Sequence, residues 1–200
     1  KTLPDMEIIS GLGDAMHYLL LEINANLEYV KHLIEYLLIK TPSDFINDIE
    51  SVEKLCYKCH EIKKIFIESD EFDQNIRKVL NLGHSFGHAL ESFLNYKIPH
   101  GIGVLFGLII AADVSFEIKD NYFEPIFKNN LITIRFLLIQ LLEKFSPLEP
   151  KYIWKSLKKD PKKFIDILAK DKKNTTKGKF KLILFIKNKP LLYECEKSLV

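Results

Sequence analysis

Cysteine is scarce in this sequence, with three residues in a chain of 200. So small and odd a number does not build a disulfide framework, which excludes the class of small secreted domains held together by cross-links. The first residues also show no charged-then-apolar leader followed by a small-residue cleavage site. We therefore expect a protein of the reducing cytoplasm.

Glycine and long apolar runs are limited as well. Eight glycines occur, and none forms the glycine-rich turn between a strand and a helix that cradles a dinucleotide phosphate. The longest nearly uninterrupted apolar run, Ile102 to Ala112, is about half of a bilayer span. The sequence therefore predicts no nucleotide-binding domain within these residues and no transmembrane helix.

An excess of charge of one sign is also missing. Lys and Arg number 29 and Asp and Glu number 27, which gives a formal net charge of +2. Nucleic-acid binding requires a surface that neutralises phosphates. We expect neither a nucleic acid nor a membrane as a partner.

Apolar residues are abundant and recur mainly at helical spacing. The hydrophobic fraction of 47% is ample for a packed core. The pattern predicts a mainly α fold, a compact bundle of several helices with a small β hairpin near the C-terminus. The expected segments are a helical region through Ile8 to Leu20, a helix from Phe45 to Ile67 capped by Ser43 or Asp44, a third helix starting at Asp70-Glu71, a fourth after His100-Gly101, helical runs over Ile132 to Leu142 and Trp154 to Leu168, and a hairpin over Phe180 to Tyr193.

Three of the six histidines, His84, His88 and His100, lie close together in the chain. Residues four apart project from one face of a helix, so His84 and His88 share a face. His100 precedes a glycine where the next helix can begin. Imidazoles together with a carboxylate suit zinc, and Asp14, an acid in an otherwise apolar helix, is a candidate for the carboxylate. Core or surface histidines are the alternative interpretation of this spacing.

The run Cys56-Tyr57-Lys58-Cys59-His60 has the spelling of covalent haem attachment. It falls inside a helical pattern, and no export signal is seen. We therefore predict a reduced, partly buried cysteine pair rather than a haem site.

The order of the motifs resembles the 3-dehydroquinate synthase family. The run Leu80 to Glu91, followed by His100-Gly101, is similar to that family's double-histidine signature. Further segments that resemble the family in order and spacing are Thr2-Leu3-Pro4, Glu7, Ser10-Gly11, Lys63, Asp70-Glu71, Arg77, Asn81 and Asp171-Lys172-Lys173-Asn174. The resemblance implies the helical C-terminal half of a two-domain enzyme. Residues 1–200 are then one metal- and substrate-binding domain, and the N-terminal NAD-binding domain lies outside them.

The resemblance implies Asp14, His84 and His100 as ligands of a divalent metal, zinc or cobalt. The family usually has glutamate where Asp14 stands, and aspartate is one methylene shorter. The context Gly13-Asp14-Ala15 also resembles the metal-dependent polyol dehydrogenases, where an aspartate ligand is usual. An alcohol dehydrogenase and a non-catalytic fragment therefore remain alternatives.

The resemblance also implies the residues that handle the substrate. His88 matches a proton-handling and phosphate-binding position, and His17 and Asp73 stand where the family usually has lysine and glutamate. Residues at positions that contact anionic substrate groups are Lys63, Arg77, Asn81 and Lys172. Cations suit a substrate that carries a carboxylate and a phosphate.

The family's reaction uses NAD and a metal to eliminate phosphate from a seven-carbon keto-acid phosphate and to close a carbocycle, a lyase step of the shikimate pathway and aromatic amino acid biosynthesis. The resemblance implies that the 200 residues alone are inactive. The partner we expect is an NAD-binding domain or a second copy in a homo-oligomer.

Overall fold

The computed structural model describes residues 3–170, 175–176 and 179–196. The mainly α fold predicted from the sequence is confirmed, with a small sheet after the last helix. In chain order the elements of the described residues are helices α1 (Asp5–Leu21), α2 (Ile23–Ile39), α3 (Pro42–Asn47), α4 (Ile49–Ser69), the 3-10 helix η1 (Ile76–Asn81), α5 (His84–Phe93), α6 (His100–Glu117), α7 (Pro125–Phe145), α8 (Pro150–Lys159) and α9 (Pro161–Lys170), and strands β1 (Thr175–Thr176), β2 (Lys179–Ile186) and β3 (Lys189–Glu196).

Helix α6 forms the centre of the core. Its side chains are apolar around nearly the whole circumference, and α1, α5, α7 and β2 pack against it. By length and composition it could cross a membrane, but 72% of the segment is buried inside the protein. A helix covered on all sides is the solution expected for such a sequence in a compact domain.

Glycines allow α1 and α5 to approach α6 closely. A Cβ at Gly101 would overlap the backbone carbonyl of Ser10, and a Cβ at Gly13 would lie 2.7 Å from the Gly101 Cα. The Gly101 amide also donates a hydrogen bond of 3.0 Å to Ser10 Oγ. This contact brings the middle of α1 against the first residues of α6.

Two helix boundaries differ from the sequence prediction. The predicted helix over Phe45 to Ile67 is divided between α3 and α4, because Asp48 caps α4 by accepting from the Ser51 amide. Thr41, rather than Ser43 or Asp44, is the N-cap of α3. The Asp44 carboxylate completes its capping box.

The prediction of a third helix that starts at Asp70-Glu71 is wrong. Asp70 is instead the C-cap residue directly after α4, and its carboxylate accepts from the backbone amides of Gln74, Asn75 and Arg77. An acid at this position therefore organises a tight turn, since its side chain competes with the helical hydrogen bonds. The segment that follows is the short 3-10 helix η1.

The predicted hairpin is confirmed as β2 and β3, which pair antiparallel from Lys179 opposite Glu196 to Ile186 opposite Lys189. The connecting residues Lys187 and Asn188 both have positive φ, 48° and 70°, as a two-residue turn of type I′ requires. The short strand β1 pairs with the outer edge of β2. The Phe185 amide donates to Ser115 Oγ at 2.9 Å, which joins this sheet to α6.

We predict that Gly13→Ala destabilises the protein by about 1–3 kcal/mol, because the added methyl must displace helix backbone rather than a flexible side chain. Gly11→Ala on the same helix is the matched control, since its Cβ would meet nothing within 4 Å. That variant should be stabilised by up to about 1 kcal/mol through helix propensity. Urea unfolding measures both, and equal effects would contradict the close packing of α1 on α6.

Candidate metal and substrate site

The residues that the sequence singled out as metal ligands converge at one end of α6. Asp14 comes from the middle of α1, and His84 and His100 are the first residues of α5 and α6. His84 Nε2 lies 3.6 Å and His100 Nε2 lies 3.3 Å from the same oxygen, Asp14 Oδ1. One carboxylate oxygen thus faces two imidazoles that arrive on different helices.

Local backbone structure places both histidines. Gly83 precedes α5 with φ of 80°, a left-handed conformation that glycine adopts without strain. It turns the chain so that His84 begins the helix. Pro99 precedes α6 in an extended conformation and sets His100 at the other helix start.

The distances in this cluster suit a shared cation. Both are longer than the usual range of about 2.7–3.2 Å for a hydrogen bond to nitrogen. Ligand atoms bound to one tetrahedral zinc at about 2.0–2.1 Å are about 3.3–3.4 Å apart. Asp14 Oδ1 is also buried with no hydrogen-bond partner among the described residues. An oxygen in that condition can accept a metal bond without losing another interaction.

Glu91 is a site residue to which the sequence analysis gave no role. Its Oε1 lies 2.9 Å from His100 Nδ1, and its side chain is 13% exposed. A carboxylate on one imidazole nitrogen orients the ring so that the other nitrogen faces a metal. The spacing of His84, His88 and Glu91 along one face of α5 is the signal that could have indicated it.

Two further histidines complete the cluster. His88 is exposed, and its ring stacks on His100 with a centroid separation of 5.3 Å. His17 lies one turn after Asp14 on α1 and is 3% exposed. Its ring meets His84 edge to face at 4.6 Å, and neither ring nitrogen has a hydrogen-bond partner among the described residues. Unpaired buried polar atoms cost about 1–3 kcal/mol each.

Burial and charge determine the protonation states of Asp14 and His17. Burial alone would raise the pKa of Asp14, but the interaction with His84 and the charge of His100 outweigh it and lower the pKa. Burial, with a smaller contribution from His84, lowers the pKa of His17 from 6.5 to about 3. The site therefore combines an ionised carboxylate with a neutral His17 at neutral pH.

A groove of about 360 Å³ between α1 and α4 borders Asp14. Tyr18 and Lys63 also line it, and Lys63 Nζ lies 5.8 Å from the centroid of the Tyr18 ring. Apolar side chains form most of the remaining wall. Lys63 therefore faces the same groove as Asp14.

The other predicted substrate residues lie in or beside η1. Arg77 Nη1 donates 2.7 Å to the Glu71 carbonyl, and Asn81 Nδ2 donates 3.1 Å to the Lys78 carbonyl. Asp73 is exposed in the turn before η1 with φ of 53°. The hydrogen bonds of Arg77 and Asn81 thus go to backbone carbonyls outside the histidine cluster. Lys172 lies outside the described residues.

The cysteine motif is part of α4, as expected. Cys56 is exposed, Cys59 is half-buried, and both are free thiols. Burial, with a smaller contribution from Cys56, raises the pKa of Cys59 to about 11, so this sulfur is a neutral thiol and a poor metal ligand. The motif does not join the histidine cluster.

Comparison with known protein families shows which family the chain belongs to. The family described as 3-dehydroquinate synthase C-terminal matches residues 23–174. The chain belongs to this family. The resemblance seen in the sequence motifs is thereby confirmed.

Relatives within the 3-dehydroquinate synthase family are similar over much of the chain. The 3-dehydroquinate synthase of Blochmanniella floridana is 36% identical over 118 residues, which are 58% of this chain and 30% of the relative. That of Sulfurisphaera tokodaii is 32% identical over 174 residues, 86% of this chain and 45% of the relative. The chain thus spans less than half the length of these relatives.

A solved structure has a similar fold. It is a 2-deoxy-scyllo-inosose synthase complexed with carbaglucose-6-phosphate, NAD+ and Co2+, and it superposes with a TM-score of 0.71 at 19% identity. The match covers 99% of this chain and 51% of that one. At this identity the similarity concerns the fold.

We predict that metal-free protein loses about 2 kcal/mol of stability between about pH 7.5 and about pH 5 through His17 alone. The unfolded chain takes up a proton below pH 6.5, whereas folded His17 stays neutral down to about pH 3. The contribution is complete above the unfolded pKa and disappears as the pH falls. Urea unfolding in EDTA at several pH values measures it.

In His17→Phe the free energy of unfolding should fall by about 2 kcal/mol less than in the wild type between these two pH values. In His32→Ala, which changes an exposed residue of α2, it should fall as much as in the wild type. A His17→Phe profile parallel to the wild type would contradict the buried neutral imidazole.

Proposed function

We propose that this chain is the metal- and substrate-binding part of a cyclase of the 3-dehydroquinate synthase type. The observation that carries the proposal is the convergence of His84 Nε2 and His100 Nε2 on Asp14 Oδ1, at 3.6 and 3.3 Å. Family membership supports it, because the relatives named above are 3-dehydroquinate synthases. The reaction is a phosphate elimination and ring closure on a seven-carbon keto-acid phosphate, a step toward aromatic amino acids.

In this proposal Asp14, His84 and His100 bind a divalent cation, zinc or cobalt, and Glu91 holds the His100 ring in place. The bound cation would act as a Lewis acid on substrate oxygens. The Co2+ in the complex of the similar 2-deoxy-scyllo-inosose synthase supports a divalent metal in this fold. Asp14 supplies the negative charge that partly neutralises the cation.

His88 lies at the exposed edge of the cluster, stacked on His100. From this position its imidazole can bind the leaving phosphate and transfer a proton to it. Lys63 faces the groove next to Asp14 and can contact an anionic group of the substrate. His17, one turn from Asp14, is too buried to contact substrate directly. It is therefore not one of the proposed substrate contacts.

Arg77, Asn81, Asp73 and Lys172 form the more distant part of the proposed substrate site. Arg77 has five N–H donors, and the Glu71 carbonyl accepts from Nη1. The remaining N–H donors of Arg77 can bind a phosphate or a carboxylate in bidentate geometry. The phosphorylated ligand of the similar structure supports a small phosphorylated substrate.

NAD chemistry requires a nucleotide-binding domain in addition to this helical domain. The 200 residues contain no glycine-rich phosphate turn. We propose that an N-terminal NAD-binding domain or a second subunit supplies it. Free thiols at all three cysteines agree with a cytoplasmic location.

We predict that the purified chain binds zinc or cobalt with near 1:1 stoichiometry, as measured by elemental analysis after dialysis. His84→Ala should abolish this, because it removes a ligand. Glu91→Gln should weaken affinity by about 10–100-fold, since it removes the carboxylate that orients His100. The exposed His32→Ala is the control. Metal binding unchanged in His84→Ala would contradict the proposed site.

We predict that the 200-residue chain alone releases no phosphate from the seven-carbon keto-acid phosphate with NAD+ and Co2+, because it lacks a dinucleotide cradle. A chimera carrying this chain in place of the matching part of the Sulfurisphaera tokodaii enzyme should release phosphate. His84→Ala in the chimera should stop it.

Phosphate release by the isolated chain would contradict the prediction that it is inactive without a dinucleotide-binding domain. Net NADH formation from a polyol by the chimera, without phosphate release, would favour the alcohol dehydrogenase alternative.

A further inference from the structure

His17 is a buried imidazole that the proposed mechanism leaves without a partner. It is 3% exposed, and both ring nitrogens are shielded from solvent without a hydrogen bond to any described residue. Buried polar side chains in proteins nearly always have a partner. A phenylalanine would fill such an apolar position without this cost, so the nitrogens call for an explanation.

The position of His17 beside Asp14 and His84 explains why its nitrogens have no hydrogen bonds among the described residues. It follows Asp14 by three residues on α1, so both side chains leave the same face of the helix. The ligand atoms of Asp14, His17 and His84 all lie within 4.8 Å of one another. Ligand atoms of one tetrahedral zinc ion are about 3.3–3.4 Å apart, so atoms up to 4.8 Å apart need to approach by about 1.5 Å at most. Small side-chain rotations therefore suffice for the three to share an ion.

The neighbours of His17 restrict the choice of partner. Its ring packs on Tyr18 at 3.9 Å on one side and meets His84 edge to face at 4.6 Å on the other. Asp14 Oδ1, which is buried without a hydrogen bond within the described part of the chain, belongs to the same group. A carboxylate oxygen and imidazole nitrogens that lack such hydrogen bonds thus adjoin one space, and a cation between them would bind to both.

We propose that His17 is a fourth protein ligand of the metal, in addition to Asp14, His84 and His100. This inference rests on the proposed metal site and adds a ligand to it. Four protein ligands complete a tetrahedral shell, so a substrate oxygen can join only as a fifth ligand. The arrangement favours tight retention of the ion between turnovers.

The test is zinc affinity, measured by competition with a chromogenic chelator, for wild type, His17→Phe and His32→Ala. Phenylalanine keeps a planar aromatic ring, slightly larger than imidazole, and removes both nitrogens. Removing a residue that only orients a metal ligand lowers metal affinity by about 10–100-fold. Removing a ligand should cost no less, so we expect His17→Phe to weaken zinc binding at least about tenfold. His32→Ala should match the wild type. Equal affinity of His17→Phe and wild type would overturn the inference.

A second measurement needs no variant. X-ray absorption fine structure of the zinc-loaded wild type should fit three imidazoles and one carboxylate, whereas two imidazoles would overturn the inference. Failure of the wild type to bind zinc at all would overturn the proposed metal site itself, so the two failures are distinguishable.

Discussion

The contact between α1 and α6 is the constraint on which the rest of the site depends. Gly13 and Gly101 remove the two Cβ atoms that would hold the helices apart, and Ser10 Oγ accepts from the Gly101 amide at 3.0 Å. Only at this separation can an aspartate, with its short side chain, place an oxygen between imidazoles of two other helices. The glycines are thus part of the site, although they have no chemistry of their own.

The electrostatic arrangement follows from the same packing. Asp14 would be an unfavourable charge on a largely apolar helix face if it were alone. The two imidazoles beside it favour its ionised form and lower its pKa. Glu91 fixes the His100 ring from the opposite nitrogen at 2.9 Å. A negative charge, imidazole nitrogens and an orienting carboxylate are the composition that a divalent cation requires.

Much of the fold was predictable because the apolar spacing is strong. The helix at His100 and the hairpin closed by Lys187 and Asn188 are where the sequence placed them, and His84 and His88 share one helix as their spacing predicts. The failure at Asp70 has a local cause, since a carboxylate that can start a helix can equally accept amides from the following turn.

The site was predictable only in part. Spacing and family resemblance indicated the histidines and Asp14, because chemistry of this kind leaves a pattern along the chain. The contact of Glu91 with His100 and the isolation of the His17 nitrogens depend on how helices cross, and no spacing rule contains that information. The sequence shows Glu91 three residues after His88, but it does not show that the partner of Glu91 is His100, on another helix.

The most direct test of the account is a crystal structure of the zinc-soaked protein with anomalous data collected at the zinc edge. The account predicts one strong peak, about 2.0–2.2 Å from Asp14 Oδ1, His84 Nε2 and His100 Nε2. A peak bound elsewhere, or none at full zinc saturation with Asp14 paired only to the imidazoles, would contradict it.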